Sequence, residues 1–191
     1  MNIVKSQNWV DVSEMSTNDV PDNVYDWLTP AAYKLSDGIR RTYETFELVR
    51  INEGIGRLTE YEKPYIKGEY AYIRQIFLLG DGHPQVYART VVPLKMYTAY
   101  KSLFDELGDK PIGENLLYNN PGITRSPFSI SAFNMACLPF MSYSPEGRFA
   151  RRQEYILSMP IWNRQSVFKL LDLPFALITE SFLPTIKKLK N

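Results

Sequence analysis

Apolar positions run nearly unbroken through two stretches on either side of a polar turn over residues 70–93, YAYIRQIFLLGDGHPQVYARTVVP. A first run, 70–79, is aromatic and β-branched, and a second, 85–92, is rich in Val, Tyr and Thr. Such runs favour strands. Asp81-Gly82 between them supplies a hairpin turn, because glycine accepts the positive φ that a tight turn needs. Strand side chains alternate between faces. Tyr72, Arg74, Ile76 and Leu78 therefore share one face, and Ile73, Gln75, Phe77 and Leu79 the other. Both faces are largely apolar, so Arg74 has hydrophobic neighbours whichever face is the core. A buried guanidinium has to be paired or hold an anion. Three readings are open at this point: a structural Arg–carboxylate pair, an arginine reaching out at the sheet edge, and an anchor for a ligand.

The same pattern predicts strands over 46–53, 152–159, 166–171 and 175–183. Gly54 and Gly56 end the first, and Asp172-Leu173-Pro174 turns between the last two. In the final strand Ala176, Ile178, Glu180 and Phe182 share a face, so Glu180, like Arg74, stands among apolar residues. Tyr97, Tyr100, Leu103, Phe104 and Leu107 fall at helical spacing, which predicts a helix over 95–107 stopped by Gly108. Helical stretches are also expected at 24–28 and 31–39, interrupted at Pro30, with Ser36-Asp37 as a cap-like start, and a helical turn at 114–118. Residues 1–23 show no period and read as a loosely held arm. Residues 120–150 are irregular and rich in Pro and Gly, yet carry Phe128, Phe133, Met135, Leu138, Phe140 and Met141. A linker would not hold so many large apolar side chains. An ordered insertion packed on the domain, a candidate lid, is expected there.

At 191 residues the chain reads as a single domain, 1–191, large enough for a core of its own. The expected fold class is α+β. A net charge of +1, with both signs interspersed, argues against nucleic-acid binding driven by phosphate contacts. The one Cys, Cys137, excludes a disulfide framework within the chain, and with the one His, His83, it supplies too few soft ligands for a structural zinc site. His83 falls in the hairpin turn, a poor place for a Ser-His-Asp triad. The first residues lack a signal-peptide core, and no apolar run approaches a membrane span. A cytoplasmic, monomeric protein that binds a small molecule is expected. Arg74 and Glu180, each facing inward from a different strand, either neutralise one another or stand at opposite ends of a small pocket, one for a carboxylate and one for a hydroxyl.

Four segments read together are identifiable: IRQIFLLGDGHPQVYARTVVP (73–93), LGDKPIGENLL (107–117), WNRQS (162–166) and LPFALITESFLP (173–184). With Tyr25-Asp26-Trp27-Leu28 and Asn52-Glu53-Gly54, they resemble bacterial chorismate lyase, also called 4-hydroxybenzoate synthase, in order and spacing from about Tyr25 to Pro184 outside 120–150. The resemblance implies a single six-stranded antiparallel sheet with helices over one face and a closed internal site under helical flaps. It implies cleavage of chorismate to 4-hydroxybenzoate and pyruvate, with no metal or organic cofactor and with the product feeding the ubiquinone head group. It also implies that Arg74 binds the ring carboxylate and Glu180 contacts the 4-hydroxyl. Backbone groups at Ile112 and Leu35 would complete the pocket. A carboxylate at Glu180 either orients the hydroxyl or also takes the C4 proton; both remain open.

Three departures stand out. The family's Trp-Gly-Arg-Arg-Ser is Trp162-Asn163-Arg164-Gln165-Ser166 here, one arginine short. The 120–150 region is longer than usual. The family's Thr-Arg pair matches Thr124-Arg125 locally, but Arg152 has the better spacing to Trp162. The alternative reading is a non-catalytic effector-binding module, since effector domains of some bacterial transcription regulators share this fold.

Overall fold

The structure, a computed structural model, describes residues 8–134 and 160–190. The strand expected at 152–159, Cys137 and the apolar residues Met135, Leu138, Phe140 and Met141 of the expected insertion lie outside the described residues. The fold is α+β, with helices against one face of an antiparallel sheet.

Among the described residues the sheet has eight strands rather than six. They are β1 (Val10–Asp11), β2 (Phe46–Arg57), β3 (Tyr70–Gly80), β4 (His83–Pro93), β5 (Ile123–Arg125), β6 (Ser129–Asn134), β7 (Pro160–Leu170) and β8 (Leu173–Phe182). Their order is β1-β6-β7-β8-β4-β3-β2, with β5 also beside β7, and every pairing is antiparallel. Residues 120–134 of the expected insertion are therefore largely sheet. The arm is partly sheet as well, since Val10 pairs with Ile130. Both strands are too short to show a period, and pairing with a longer partner makes them.

The central hairpin turns at Asp81-Gly82, with φ of 52° and 73°, the geometry that matches the twist of the flanking strands. The Asp81 carboxylate accepts from the Glu44 and Thr45 N–H groups at 2.8 and 3.2 Å, which ties the turn to the start of β2. His83 is exposed at the first position of β4. The second hairpin turns one residue earlier than expected, at Leu171-Asp172, both at positive φ. β2 does not stop at Gly54; it runs through both glycines to Arg57.

Among the described residues the helices are α1 (Asp22–Leu28), α2 (Leu35–Thr42), α3 (Leu94–Ala99) and α4 (Lys101–Asp105), with 3-10 turns at Val12–Glu14, Thr17–Asp19 and Pro30–Ala32 and a π turn at Gly113–Leu117. α2 starts at Leu35, one residue before the expected cap, and buries Leu35, Ile39 and Thr42 at helical spacing. It lies so close to α1 that a Cβ on Gly38 would come within 2.8 Å of the Trp27 ring. The helix expected over 95–107 is broken at Tyr100 (φ −118°, ψ 23°), whose ring packs edge-on against Phe175 at 5.5 Å. Gly108, at φ 52°, ends this region as expected.

Trp27, Leu28 and Ile39 pack on Ile76, Leu78, Ala88, Trp162 and Phe182. Phe104, Leu107, Ile112 and Leu117 pack on Tyr72, Val92, Phe168 and Ile178. All the strand residues in both groups share the Arg74 face, so the helices lie on one side. The opposite face is covered by Leu58 and Ile66. That loop is pinned by the buried pair Arg89–Glu62, whose two contacts are 2.6 and 3.1 Å. Among the described residues no helix is long and apolar enough to cross a membrane.

Candidate functional site

The register fixes where the two inward charges stand. Arg74 pairs with Thr90, and Thr90 with Ile178. In the next row along the same face, Ile76 pairs with Ala88, Ala88 with Glu180 and Glu180 with Arg164. Arg74 and Glu180 are thus two strands and one row apart, which strand geometry converts to roughly 12 Å between Cα atoms. Ile76, Ala88, Thr90 and Ile178 lie between them and floor a cavity of about 50 Å³. Ala88, the smallest of these, leaves the space that a larger side chain would fill.

The roof comes from two segments distant in sequence. Leu35 and Ser36 reach in from the start of α2, and Pro111, Ile112, Gly113 and Tyr118 from the π turn. The first-turn N–H groups of α2 have no intrahelical partner, and Lys34 before them offers no side-chain cap. The two halves are latched together: Ser36 Oγ donates to Glu114, and Arg40 donates to both Glu114 oxygens, at 2.5 and 3.3 Å. Arg40 beside it holds the Glu114 carboxyl below its ordinary value.

Each charged residue clamps one roof segment to the floor. Arg74 is 1% exposed; its Nη2 donates to the carbonyls of Gly108 and Lys110 at 2.7 and 3.2 Å, and its Nη1 to Glu53 at 3.1 Å. Its Nε–H is buried with no hydrogen-bond partner. A buried donor left unmet costs about 1–3 kcal/mol, so it marks a place where an acceptor would bind. Arg164, with no exposed surface, donates through Nε to Glu180, through Nη1 to Trp27 O at 2.7 Å and through Nη2 to Ala32 O at 2.8 Å. It thereby satisfies the Trp27 carbonyl at the end of α1, which a helix leaves open, and the Ala32 carbonyl of the 3-10 turn that follows.

Glu180 meets both of its cations, Arg164 and Arg125, through Oε2, the Arg125 contact being 3.7 Å. Among the described residues no hydrogen bond reaches Oε1. Arg125 is 3% exposed and lies among the rings of Phe128 (4.2 Å), Phe168 (5.0 Å) and Tyr33 (5.1 Å). Burial pulls its pKa below the ordinary arginine value. Burial also pushes the Tyr118 hydroxyl up to about 12. It stays protonated, donates to Tyr33 O and accepts from Arg125 at 3.2 Å.

The structure thus gathers Leu35, Ile112 and Glu180 around one cavity; Arg74 is not among its lining residues but stands next to Thr90, which is. Arg74 has a carboxylate partner, Glu53, as the structural reading expected. Among the described residues Arg74 and Glu180 do not pair with each other. Gln165, where the family has a second arginine, faces the opposite side of the sheet and donates to the Tyr65 hydroxyl, so the exchange takes no cation from the cavity. Thr124-Arg125 stands in β5 beside Phe168 and reaches Glu180, while Arg152 lies outside the described residues. Tyr118 carried no sequence signal of its own; Arg125 was marked only by the local Thr-Arg match, and Ser36 only as a cap-like helix start. Arg164 did carry one: it alternates with Trp162, Ser166 and Phe168, an arginine on a buried face, but the strand was expected to start only at Ser166. A wider recess of about 720 Å³ between Tyr65–Tyr70 and Pro93–Met96 has only exposed charges, Lys67, Glu69 and Lys95, at its rim.

Residues 3–188 match the chorismate lyase family. A probable chorismate pyruvate-lyase of Azoarcus sp. (strain BH72) is 30% identical over 84% of this chain and 83% of its own length. One of Thiobacillus denitrificans is 27% identical over 87% and 85%. One of Aromatoleum aromaticum is 33% identical over 64% and 63%. The fold is similar to the C-terminal domain of the histidine utilization repressor from Pseudomonas syringae pv. tomato, with a TM-score of 0.54, 9% identity, and coverage of 77% of this chain and 97% of that one. It is also similar to the possible transcriptional regulator YydK from Bacillus subtilis, with a TM-score of 0.51, 12% identity, and coverage of 83% and 64%. At those identities the likeness is one of fold alone.

Proposed function

The chain belongs to the chorismate lyase family, and from that premise we propose that it splits chorismate into 4-hydroxybenzoate and pyruvate in the cavity between Arg74 and Glu180. The observation that carries the reading is that Arg74, whose Nε–H is unmet among the described residues, and Glu180, which lines a roofed cavity, stand on one sheet face two strands apart.

The reaction breaks the C3–O bond and removes the C4 proton. The C4–H electron pair becomes the last double bond of the aromatic ring, and the enolate that leaves takes up a proton to give pyruvate. Aromatisation drives the step, so the site has mainly to hold a dianion in a reactive conformer and keep water out. In this reading Arg74 holds an oxygen of the ring carboxylate through Nε–H, its one guanidinium donor left unmet among the described residues. Glu180 Oε1 accepts from the C4 hydroxyl, and backbone groups at Leu35 and Ile112 line the ring. A cavity of about 50 Å³ holds a water or two, whereas ligand pockets run to ~300 Å³ or more. The roof therefore opens to admit substrate and recloses over product, and slow product release is expected. The whole chain, in the same reading, acts as one cytoplasmic domain and a monomer, without metal or organic cofactor; light scattering and activity retained in a chelator test the last two points.

The direct test is pyruvate release from chorismate by the wild-type protein beside Glu180→Gln, which keeps the shape and removes the charge. Turnover per folded molecule should fall ~100-fold or more, the range for losing a positioned acid–base group, and the melting temperature should fall as well, because Arg164 and Arg125 lose their buried carboxylate. A variant that melts early but turns over normally per folded molecule would reduce Glu180 to a structural ion-pair member.

The latch gives a smaller effect. Glu114→Gln removes a half-exposed ion pair worth about 0.2–1 kcal/mol, so 4-hydroxybenzoate should dissociate up to ~5-fold faster in a fluorescence displacement experiment. The folded Glu114 carboxyl lies below its ordinary value of 4.5. The stabilisation is therefore complete above that value and is lost as the pH falls through the lower folded one. Product retention should be flat from neutrality down to about pH 4.5 and weaken below it. A decline already at neutral pH would point to another group.

A further inference from the structure

Chorismate carries a second carboxylate, on the enolpyruvyl arm at C3, and Arg74 and Glu180 leave it without a partner. The ring geometry limits where that partner is. C3 adjoins C4, so with the ring carboxylate at Arg74 and the C4 hydroxyl at Glu180, the arm must leave the ring beside Glu180. Two buried arginines stand there. Arg164 has every guanidinium nitrogen engaged, with Glu180 and with the carbonyls of Trp27, Thr29 and Ala32. Arg125 engages Nε with Ser166 Oγ at 2.8 Å and Nη1 with Tyr33 O at 2.6 Å, but among the described residues its Nη2 makes only the long 3.7 Å contact to Glu180.

A second cavity opens on that same arginine. It holds about 140 Å³ and is bounded by Tyr33, Lys34, Tyr118, Arg125 and Phe168. Tyr118 is also in the roof of the first cavity, so the two spaces share its ring as a wall. Lys34 Nζ lies 5.6 Å over that ring and, among the described residues, is in no ion pair. An arginine donor and a lysine ammonium, backed by aromatic rings, thus face a space wide enough for a short planar arm.

We propose that the cavity between Lys34, Tyr118 and Arg125 is a second carboxylate subsite, which takes the enolpyruvyl carboxylate of chorismate. The assignment rests on the reading of the first cavity given above. Arg125 Nη2 and Lys34 Nζ are its two cations, and Tyr118 swings aside so that one ligand spans both spaces. The product, 4-hydroxybenzoate, lacks the arm and leaves this subsite empty. Substrate and product should therefore respond differently to its loss.

That difference is the test. Lys34→Met removes an exposed ammonium, and Arg125→Gln removes the buried donor. A hydrogen bond to a charged group is worth about 1.5–3 kcal/mol, so the KM for chorismate should rise ~10-fold in Lys34→Met and ~100-fold in Arg125→Gln, while the Ki for 4-hydroxybenzoate stays within ~2-fold. Lys34→Arg should restore the wild-type KM. Equal rises in KM and Ki, or no change in KM in Lys34→Met, would overturn the subsite. Should Arg125→Gln fail to fold, Lys34→Met decides, since its side chain is on the surface. A wild-type protein that releases no pyruvate would instead refute the lyase reading. Calorimetric affinities for chorismate and 4-hydroxybenzoate in the same variants would then still accept or reject the subsite.

Discussion

Arg74→Ala should lower kcat/KM for chorismate by ~100-fold or more and raise the Ki for 4-hydroxybenzoate by a similar factor. Truncating one partner of a buried charge contact costs on the order of 3–5 kcal/mol, and each 1.4 kcal/mol is about tenfold. Substrate and product share the ring carboxylate, so both suffer, in contrast to the substrate-only loss expected at Lys34. The fold should survive. Glu53 keeps two other donors, Arg50 Nη1 at 2.8 Å and the Tyr72 hydroxyl, so no naked carboxylate is left behind. The Gly108 and Lys110 carbonyls lose a donor, which loosens that half of the roof. Arg74→Lys keeps the charge without the fork and should recover only part of the loss. Kinetics and product inhibition beside a thermal melt check this. Normal inhibition by 4-hydroxybenzoate in Arg74→Ala would remove Arg74 from the binding site and leave it as the partner of Glu53.

Arg164→Leu should cost stability on the same scale, about 3–5 kcal/mol, because it leaves Glu180 buried with only the 3.7 Å contact to Arg125. The carbonyls of Trp27 and Ala32 lose their donors as well. For a chain of this size that is a fall in Tm on the order of 10 °C. Glu180→Leu added to Arg164→Leu should recover part of it, since the pair then leaves no unmatched charge. Pyruvate release should fall even at temperatures where the variant is folded, because the α1 end of the roof is no longer tied to the floor. A melt indistinguishable from wild type would show that the helix end is held by its apolar contacts, Trp27 and Leu28, instead.

The two large effects arise at residues of different legibility. Arg74 and Glu180 were visible as charges on apolar strand faces because the strand period is two, and β3 and β8 are long enough to display it. The hairpin at Asp81-Gly82 was visible because its turn chemistry is local. Arg164 was missed because β7 begins at Pro160, six residues before the expected start, and an Asn and a Gln beside the arginine mask a strand that is buried on both faces. Pairing, not propensity, makes these short strands: β5 and β6 pair with the long β7, and β1 pairs with β6. The helix over 95–107 was expected whole, because its stripe is continuous. Packing of Tyr100 on Phe175 breaks it, a tertiary contact overriding a local preference.

What the sequence by itself determined is the alternation that turns Arg74 and Glu180 inward, the turn that sets β3 against β4, and a family resemblance resting on ordered motifs. Which inward charges face one another was decided only by the tertiary structure. Register across β3, β4 and β8 sets Arg74 and Glu180 one row apart. The crossing of α1 and α2 over that row brings Leu35, and with it Lys34, to a π turn some eighty residues away. β5, pairing with β7, delivers Arg125 to the carboxylate of Glu180. The physical reason is that periodicity and turn chemistry act over a few residues, whereas the cavity is enclosed by segments whose only shared constraint is the core they bury together.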